Sequence, residues 1–305
     1  MTAVDTLLRV IVEPGFFASG PVRTAILVGG GAAVVSGVVG VFTVLRGQSF
    51  AGHALADVSS AGGSLAFLLG ISPMLGFLGM AALGAGGMEL VGVRRMRGRD
   101  LATGVVLGAG LALAALFLYL DTTSTSTTGA AITVMFGSMF AIPASTGWLA
   151  ATVGLMAITA VLVLYRPLLL SSLNQELAAV RGVRVGLAGL LYAVVLALAV
   201  ALSALTVGAI LATALLVGPA STALRLAKRP GAAVLLAVLT ALAATWGGIL
   251  LAYDSFDWTP GHGWPVSFFV VTLIMVFYLL ALTRSGTARD GHDRAALAPG
   301  VGEGG

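Results

Sequence analysis

A histidine and an aspartate stand four positions apart in RGQSFAGHALADVSSAGGS, residues 46–64. Four residues turn an α-helix by about 40° and climb about 6 Å, so His53 and Asp57 share one helical face. Steps of three and four residues add Ser60 and Ser64 to the same polar stripe. In a bilayer such a stripe faces a protein interface or a wet path, because lipid solvates it poorly. An imidazole and a carboxylate together suit a divalent cation such as Mn²⁺ or Zn²⁺. The other reading of the pair is an internal His–Asp hydrogen bond that fixes helix packing. Two ligands are too few for a site. A symmetric dimer with this helix near its axis would bring two His and two Asp together, enough donors for either metal.

Little other chemistry is on offer. There are no cysteines, so disulfides, thiolate chemistry and iron–sulfur clusters are excluded. No GxxxxGK[ST], GxSxG or HExxH occurs, and histidine appears only at 53, 262 and 292. The chain therefore reads as moving or holding something rather than transforming it: not an enzyme, with no permanently bound cofactor. Glu89 lies beside the arginines of VRRMRGRD and reads as their interfacial partner. Asp254, Asp257 and His262 gather in YDSFDWTPGHGWP, read either as an ordinary polar loop or as a docking surface or metal entry point.

The elements that must position His53 and Asp57 are membrane helices. Of 305 residues, 58% are hydrophobic and 9% are charged, against about 25% charged in soluble domains. Charge-free runs near the ~20 residues needed to cross the hydrocarbon core recur throughout. The fold class is an all-α polytopic membrane protein. Nine spans are expected, near 24–45, 52–71, 74–93, 101–120, 147–165, 186–205, 208–224, 231–252 and 265–283. The sixth and seventh are expected to turn near Ser203–Thr206. The piece 130–142 is too short to span and reads as an external or re-entrant helix. With the N-terminus outside, only Arg9 and Arg23 of the 16 Lys and Arg residues fall outside, which leaves 14 on the cytoplasmic side. The expected arrangement is N-out and C-in. Residues 1–22 form an extracytoplasmic segment, 23–283 the transmembrane domain and 284–305 a disordered cytoplasmic tail. The N-terminus lacks a basic n-region and does not read as a signal peptide. Basic residues confined to short loops give no reason to expect nucleic acid.

A second motif lies after the fifth span, in SSLNQELAAVRGVRVG. Asn174 can cap a short helix beginning Gln175, Glu176, Leu177 and Ala178, and Gly182 can end it. Glu176 in the first turn suits the helix dipole. The helix reads either as lying on anionic lipid or as docking into a groove of a partner protein.

Four stretches in order resemble the permease subunits of ABC-type manganese, zinc and iron importers, the ABC-3 family. GVFTVLRGQSFAGHALADVSSAGGSLAFLLG is similar to the family's VLRxLSFxGDALSHAVLPGVALAFLLG. RGRDLATGVVLG is similar to its segment before span four, and YRPLLLSSLNQELAAVRGV to its DPELARALGV coupling region. TVGAILATALLVGPASTALRLAKR is similar to VGxLLVxALLxxPAATAxLLA. The resemblance covers about residues 22–281. It implies a homodimeric permease in a bacterial plasma membrane, with two ATP-binding subunits beneath and an extracytoplasmic metal-binding protein above. It implies that Asn174, Gln175, Glu176, Leu177, Ala178 and Gly182 form the coupling contact with the ATPase, and that His53 and Asp57 handle the metal. The family order is Asp then His; here it is His53 then Asp57. Ala61 replaces the family's proline, so this helix is expected to bend less. The alternatives are a proton-coupled secondary transporter or channel with Asp57 as proton carrier, and an ABC permease for a metal chelate.

Overall fold

A computed structural model describes residues 16–92, 96–124, 128–137, 139–258 and 263–296. Every regular element among them is helical. The order is α1 (Gly20–Leu45), α2 (Ser49–Leu68), α3 (Pro73–Gly92), α4 (Met96–Ser124), α5 (Thr128–Phe136), α6 (Ala144–Leu173), α7 (Gln175–Val180), α8 (Val185–Val207), α9 (Ala209–Leu226), α10 (Pro230–Trp258) and α11 (Val266–Ala296). Short 3₁₀ turns at Phe16–Ala18 and Met139–Ala141 flank α1 and precede α6. Prolines punctuate the starts: Pro21 in the first turn of α1, Pro73 and Pro230 as first residues, Pro143 as the N-cap of α6. A fixed φ and a missing N–H cost nothing there.

Seven of the described helices are long and apolar enough to cross a membrane: α1, α6, α8, α9, α10, the Thr103–Ser124 part of α4 and the Val266–Arg284 part of α11. In α3 the apolar stretch is Pro73–Met88. The odd one out is α2. It carries Ser49, His53, Asp57, Ser59, Ser60 and Ser64, yet it is the most enclosed of the set, with every residue from Ala54 to Ser64 buried. It packs against α3, α4, α8 and α9. A helix this polar has no favourable lipid face, so the apolar helices surround it.

Close approach makes that enclosure possible. Gly110 of α4 lies against the α2 backbone, where a Cβ would stand 2.7 Å from the Val58 nitrogen. Small residues at such crossings let helices pack where lipid offers no hydrophobic drive between them. Hydroxyls add a few fixed links. Ser36 of α1 meets Ser203 of α8 at 2.7 Å, and Ser59 of α2 donates to the Phe77 carbonyl of α3 at 2.9 Å.

Three features differ from expectation. The turn between the sixth and seventh expected spans falls at Gly208, not at Ser203–Thr206. Ser203 and Thr206 stay helical because their hydroxyls bond back to the carbonyls of Ala199 and Leu202 at 2.9 and 3.0 Å. Gly208 has φ +91°, which ends α8 and starts α9 at one residue. Its backbone lies against Gly137, so the segment around α5 is tucked onto this turn. The expected fifth span stops at 165, but α6 continues through Pro167 to Leu173. One lost backbone hydrogen bond does not break a helix held by its neighbours on both sides. The last helix runs past 283 to Ala296.

Candidate functional site

His53 and Asp57 lie one turn apart in the first half of α2, with His53 Nε2 3.9 Å from Asp57 Oδ2. Their surroundings differ. The Asp57 side chain is 6% exposed and the His53 side chain 42%, so the imidazole forms the open edge of an otherwise enclosed pair. Asp57 Oδ2 is buried and accepts no hydrogen bond. A carboxylate oxygen in that condition is a strong demand for a cation or a donor.

His53 is held from the other side. Its Nδ1 lies 3.0 Å from Thr213 Oγ1 of α9. With Nδ1 occupied by the hydroxyl, Nε2 is left facing Asp57. This is the arrangement by which a ring nitrogen is prepared as a ligand. Thr213 had no signal in the sequence beyond being one hydroxyl in the apolar run GAILATALLVG. It lies about 20 Å along α9 from Leu226 and about 8 Å from Gly208, at ~1.5 Å per residue. Along α9 the pair therefore lies well inside the helix, and along α2 it begins one turn from Ser49. Phe50 on α2 and Ile210 on α9, 48% and 46% exposed, continue the same open strip past His53 and Thr213.

The two serines of the stripe are buried beside the pair but face inward on themselves. Ser60 Oγ donates to the Asp57 carbonyl at 2.7 Å and Ser64 Oγ to the Ser60 carbonyl at 2.8 Å. Their hydroxyl protons are committed to their own helix, leaving only lone pairs for a ligand. Among the described residues no group of three His, Asp or Glu side chains converges, and His53 and Asp57 are the two such ligands that come together at this site. Asp254 and Asp257 are at the far end of α10, Asp254 with a buried Oδ1 that accepts no hydrogen bond and Asp257 exposed. His262 and the side chains of Glu89 and His292 lie outside the described residues.

The second motif takes the form expected of it. Asn174 Oδ1 accepts from Leu177 N at 3.0 Å, and Gly182, at φ +80°, follows the last turn of α7. Only Ala178 of this helix is buried. Leu177 and Val180, three apart on α7, are 48% and 85% exposed beside exposed Gln175 and Glu176, and Leu173 at the end of α6 is 73% exposed. An apolar stripe turned away from its own bundle is unusual on a folded surface.

Residues 21–285 match the model of the ABC 3 transport family. The chain belongs to that family. Relatives within it include the manganese import system permease protein ScaB of Streptococcus parasanguinis, 30% identical over 231 residues, 76% of this chain and 80% of the relative. The high-affinity zinc uptake system membrane protein ZnuB of Haemophilus influenzae is 26% identical over 234 residues, 76% of this chain and 88% of the relative. Among solved structures, PsaBC from Streptococcus pneumoniae in complex with Fab has a chain that superposes with a TM-score of 0.74 at 25% identity, covering 88% of this chain and 92% of its own. As a member of the ABC 3 family the chain is a multi-pass bacterial membrane protein and a transport subunit.

Proposed function

We propose that the chain is the membrane-spanning permease of an ATP-driven importer for a divalent transition metal, manganese or zinc. It works as a homodimer beneath an extracytoplasmic metal-binding protein and above two ATP-binding subunits. The observation that carries the cargo assignment is the Asp57 carboxylate, buried beside an oriented imidazole with one oxygen unbonded. Imidazole and carboxylate are donors that manganese and zinc both accept. The names of the relatives point to the same two metals.

On this reading α2 and α3 cross the bilayer with the seven apolar helices, giving nine crossings with the N-terminus outside. Arg46, Arg181, Arg184, Arg225, Lys228 and Arg229, at or next to the α7 end of their helices, then face the cytoplasm. The strip formed by Phe50, His53, Ile210 and Thr213 faces a second copy across the dimer axis. Two copies bring two imidazoles and two carboxylates to one passage, four donors in place of the two at this site in one chain. Ser60 and Ser64 border that passage through their lone pairs. α7 is the coupling helix: Leu173, Leu177 and Val180 enter a groove of the ATPase, with Gln175 and Glu176 at its edge and Asn174 and Gly182 fixing its two ends. ATP binding and hydrolysis on the partner move α7 and switch the passage from one face to the other. The permease itself hydrolyses nothing.

The test is metal uptake into proteoliposomes that contain the permease, its ATPase and the binding protein. Wild type is expected to accumulate Mn²⁺ or Zn²⁺ only with ATP inside the ATPase compartment. His53→Ala and Asp57→Ala are each expected to lower that uptake at least tenfold. Unchanged rates in both variants would remove the pair from the passage. Uptake driven by a proton gradient without ATP would favour a secondary transporter.

A further inference from the structure

Arg46 stands half-buried at the end of α1, and the contacts of its side chain with Ser171 and Tyr192 tie two parts of the proposed machine together. It is the C-cap of α1. Gly47 N bonds to the Val44 carbonyl at 3.1 Å and Gln48 N to the Thr43 carbonyl at 2.9 Å, the paired closure of a Schellman turn. The Gln48 carbonyl then accepts from Gly52 N at 3.0 Å and opens α2. From Arg46 to His53 the backbone therefore runs through a closed turn straight into helix, with no loose residue between.

The side chain reaches the other way. Arg46 Nη1 donates to Ser171 Oγ at 2.9 Å, and the guanidinium lies 5.2 Å from the centre of the Tyr192 ring. Ser171 is buried in the last turn of α6 and its own hydroxyl donates to the Leu168 carbonyl at 3.1 Å. Asn174, which caps α7, follows three residues later. Tyr192 is fully buried about 10 Å inside α8, at ~1.5 Å per residue. Its hydroxyl donates to the Val39 carbonyl of α1 at 3.0 Å and lies 2.7 Å from Thr43 Oγ1. Arg46 thus sits where the base of α6 and the wall of α8, the two helices that bracket α7, meet the turn that carries α2.

We propose that Arg46 is a positioning residue for transport: it couples the α6–α7 corner to the start of α2, so that movement of α7 displaces the His53–Asp57 pair. This deepens the reading of the chain as an ATP-driven permease and rests on it. Two physical points support it. At a helix end a guanidinium can reach into water, yet the Arg46 side chain is held on Ser171 and Tyr192. The task suits a broad cation that donates to Ser171 while its central carbon lies 5.2 Å from the centre of the Tyr192 ring, a span that the fork of a guanidinium covers more readily than a compact ammonium. Simple packing at this corner would be met by an apolar side chain.

The test measures ATP hydrolysis and metal uptake on the same proteoliposomes, holding the permease, its ATPase and the binding protein. Arg46→Lys keeps the charge and loses the guanidinium fork; Ser171→Ala removes only the partner hydroxyl. With Arg46→Lys, metal carried per ATP hydrolysed is expected to fall about tenfold, within the usual range for coupling between sites. With Ser171→Ala it is expected to fall about threefold. ATPase rate and co-purification of the ATPase stay near wild type in both. A ratio that stays at the wild-type value in both variants overturns the proposal, whether the two rates are unchanged or fall together. If Arg46→Lys does not assemble, Ser171→Ala decides alone. A wild-type complex that carries no metal with ATP would instead overturn the assignment of function, so the two failures are distinguishable.

Discussion

Thr213→Val removes one hydroxyl from the candidate site and keeps the β-branched shape. In the native chain that hydroxyl fixes His53 Nδ1 at 3.0 Å and so holds Nε2 toward Asp57, 3.9 Å away. Valine leaves Nδ1 without a partner at a half-buried position. The net loss of one such hydrogen bond is about 0.5–1.5 kcal/mol, rising to about 1–3 kcal/mol where the remaining group goes unsatisfied. Removing the outer partner of a ligating histidine elsewhere lowers metal affinity about 10–100-fold, or roughly 1.4–2.7 kcal/mol. His53 is 42% exposed in a single chain, so water can take part of the place of the lost hydroxyl. The lower end, about tenfold, is therefore expected. The assay is equilibrium binding of Mn²⁺ and Zn²⁺ to the purified permease dimer in nanodiscs, with Thr213→Ser as the restoring variant. Serine should return binding to within about twofold of wild type, because it keeps the donor and acceptor while losing only a methyl group. If valine and serine bind alike, and both match wild type while His53→Ala does not, the hydroxyl does not orient the ring and the argument fails.

Three further outcomes follow from the same geometry. Asp57→Asn should raise the melting temperature of the metal-free permease by a few degrees while abolishing uptake, because it replaces a carboxyl group that has one oxygen buried with no hydrogen bond; thermal unfolding in detergent with an uptake assay separates the two effects. Leu177→Asp and Glu176→Arg on the exposed face of α7 should prevent co-purification of the ATPase and leave the permease folded, and full recovery of the complex with both variants would count against α7 as the docking element. Gly110→Ala places a Cβ 2.7 Å from the Val58 nitrogen, next to Asp57, and should cost about 1–3 kcal/mol of stability as α4 is pushed from α2. Gly104→Ala, where the same helix has open space, is the matched control.

Local features of the chain could be read from sequence, and long-range ones could not. Asn174 and Gly182 bracket α7 as expected, since a cap and a left-handed glycine act within one turn. The shared face of His53 and Asp57 follows from helical spacing alone. The turn at Gly208 was hidden by a neighbouring Ser–Thr pair, which resembles a loop signal in water. In an apolar bundle those hydroxyls bond back to Ala199 and Leu202 and leave the helix intact. The fifth expected span stops at 165 because a charge-free run ends at Arg166, whereas α6 runs on through Pro167 to Leu173. Thr213 and His53 are 160 positions apart and bear no spacing relation to each other. Neither do Arg46 and Ser171, and only the fold brings either pair into contact.

The geometry of the pair also bears on how a transport site can bind and then release. Two ligand atoms on one tetrahedral ion, each at ~2.1 Å, stand about 3.4 Å apart. His53 Nε2 and Asp57 Oδ2 are 3.9 Å apart, so the site as it stands is about half an ångström too open to hold an ion by both. The two side chains share α2, and their separation along that helix changes little when the bundle moves. What can change is the angle of the imidazole, which Thr213 sets from α9. Sliding α2 against α9 therefore alters the distance from Nε2 to Oδ2 without unfolding either helix. On the proposal above, that slide is steered from the start of α2, where Arg46 joins the turn to Ser171 and Tyr192. If the pair binds metal as proposed, its affinity depends on two contacts with other helices, His53 with Thr213 and Arg46 with Ser171. A permease that must capture an ion in one state and release it in the next needs that arrangement, because a rigid two-ligand site on one helix would hold its ion equally well in both.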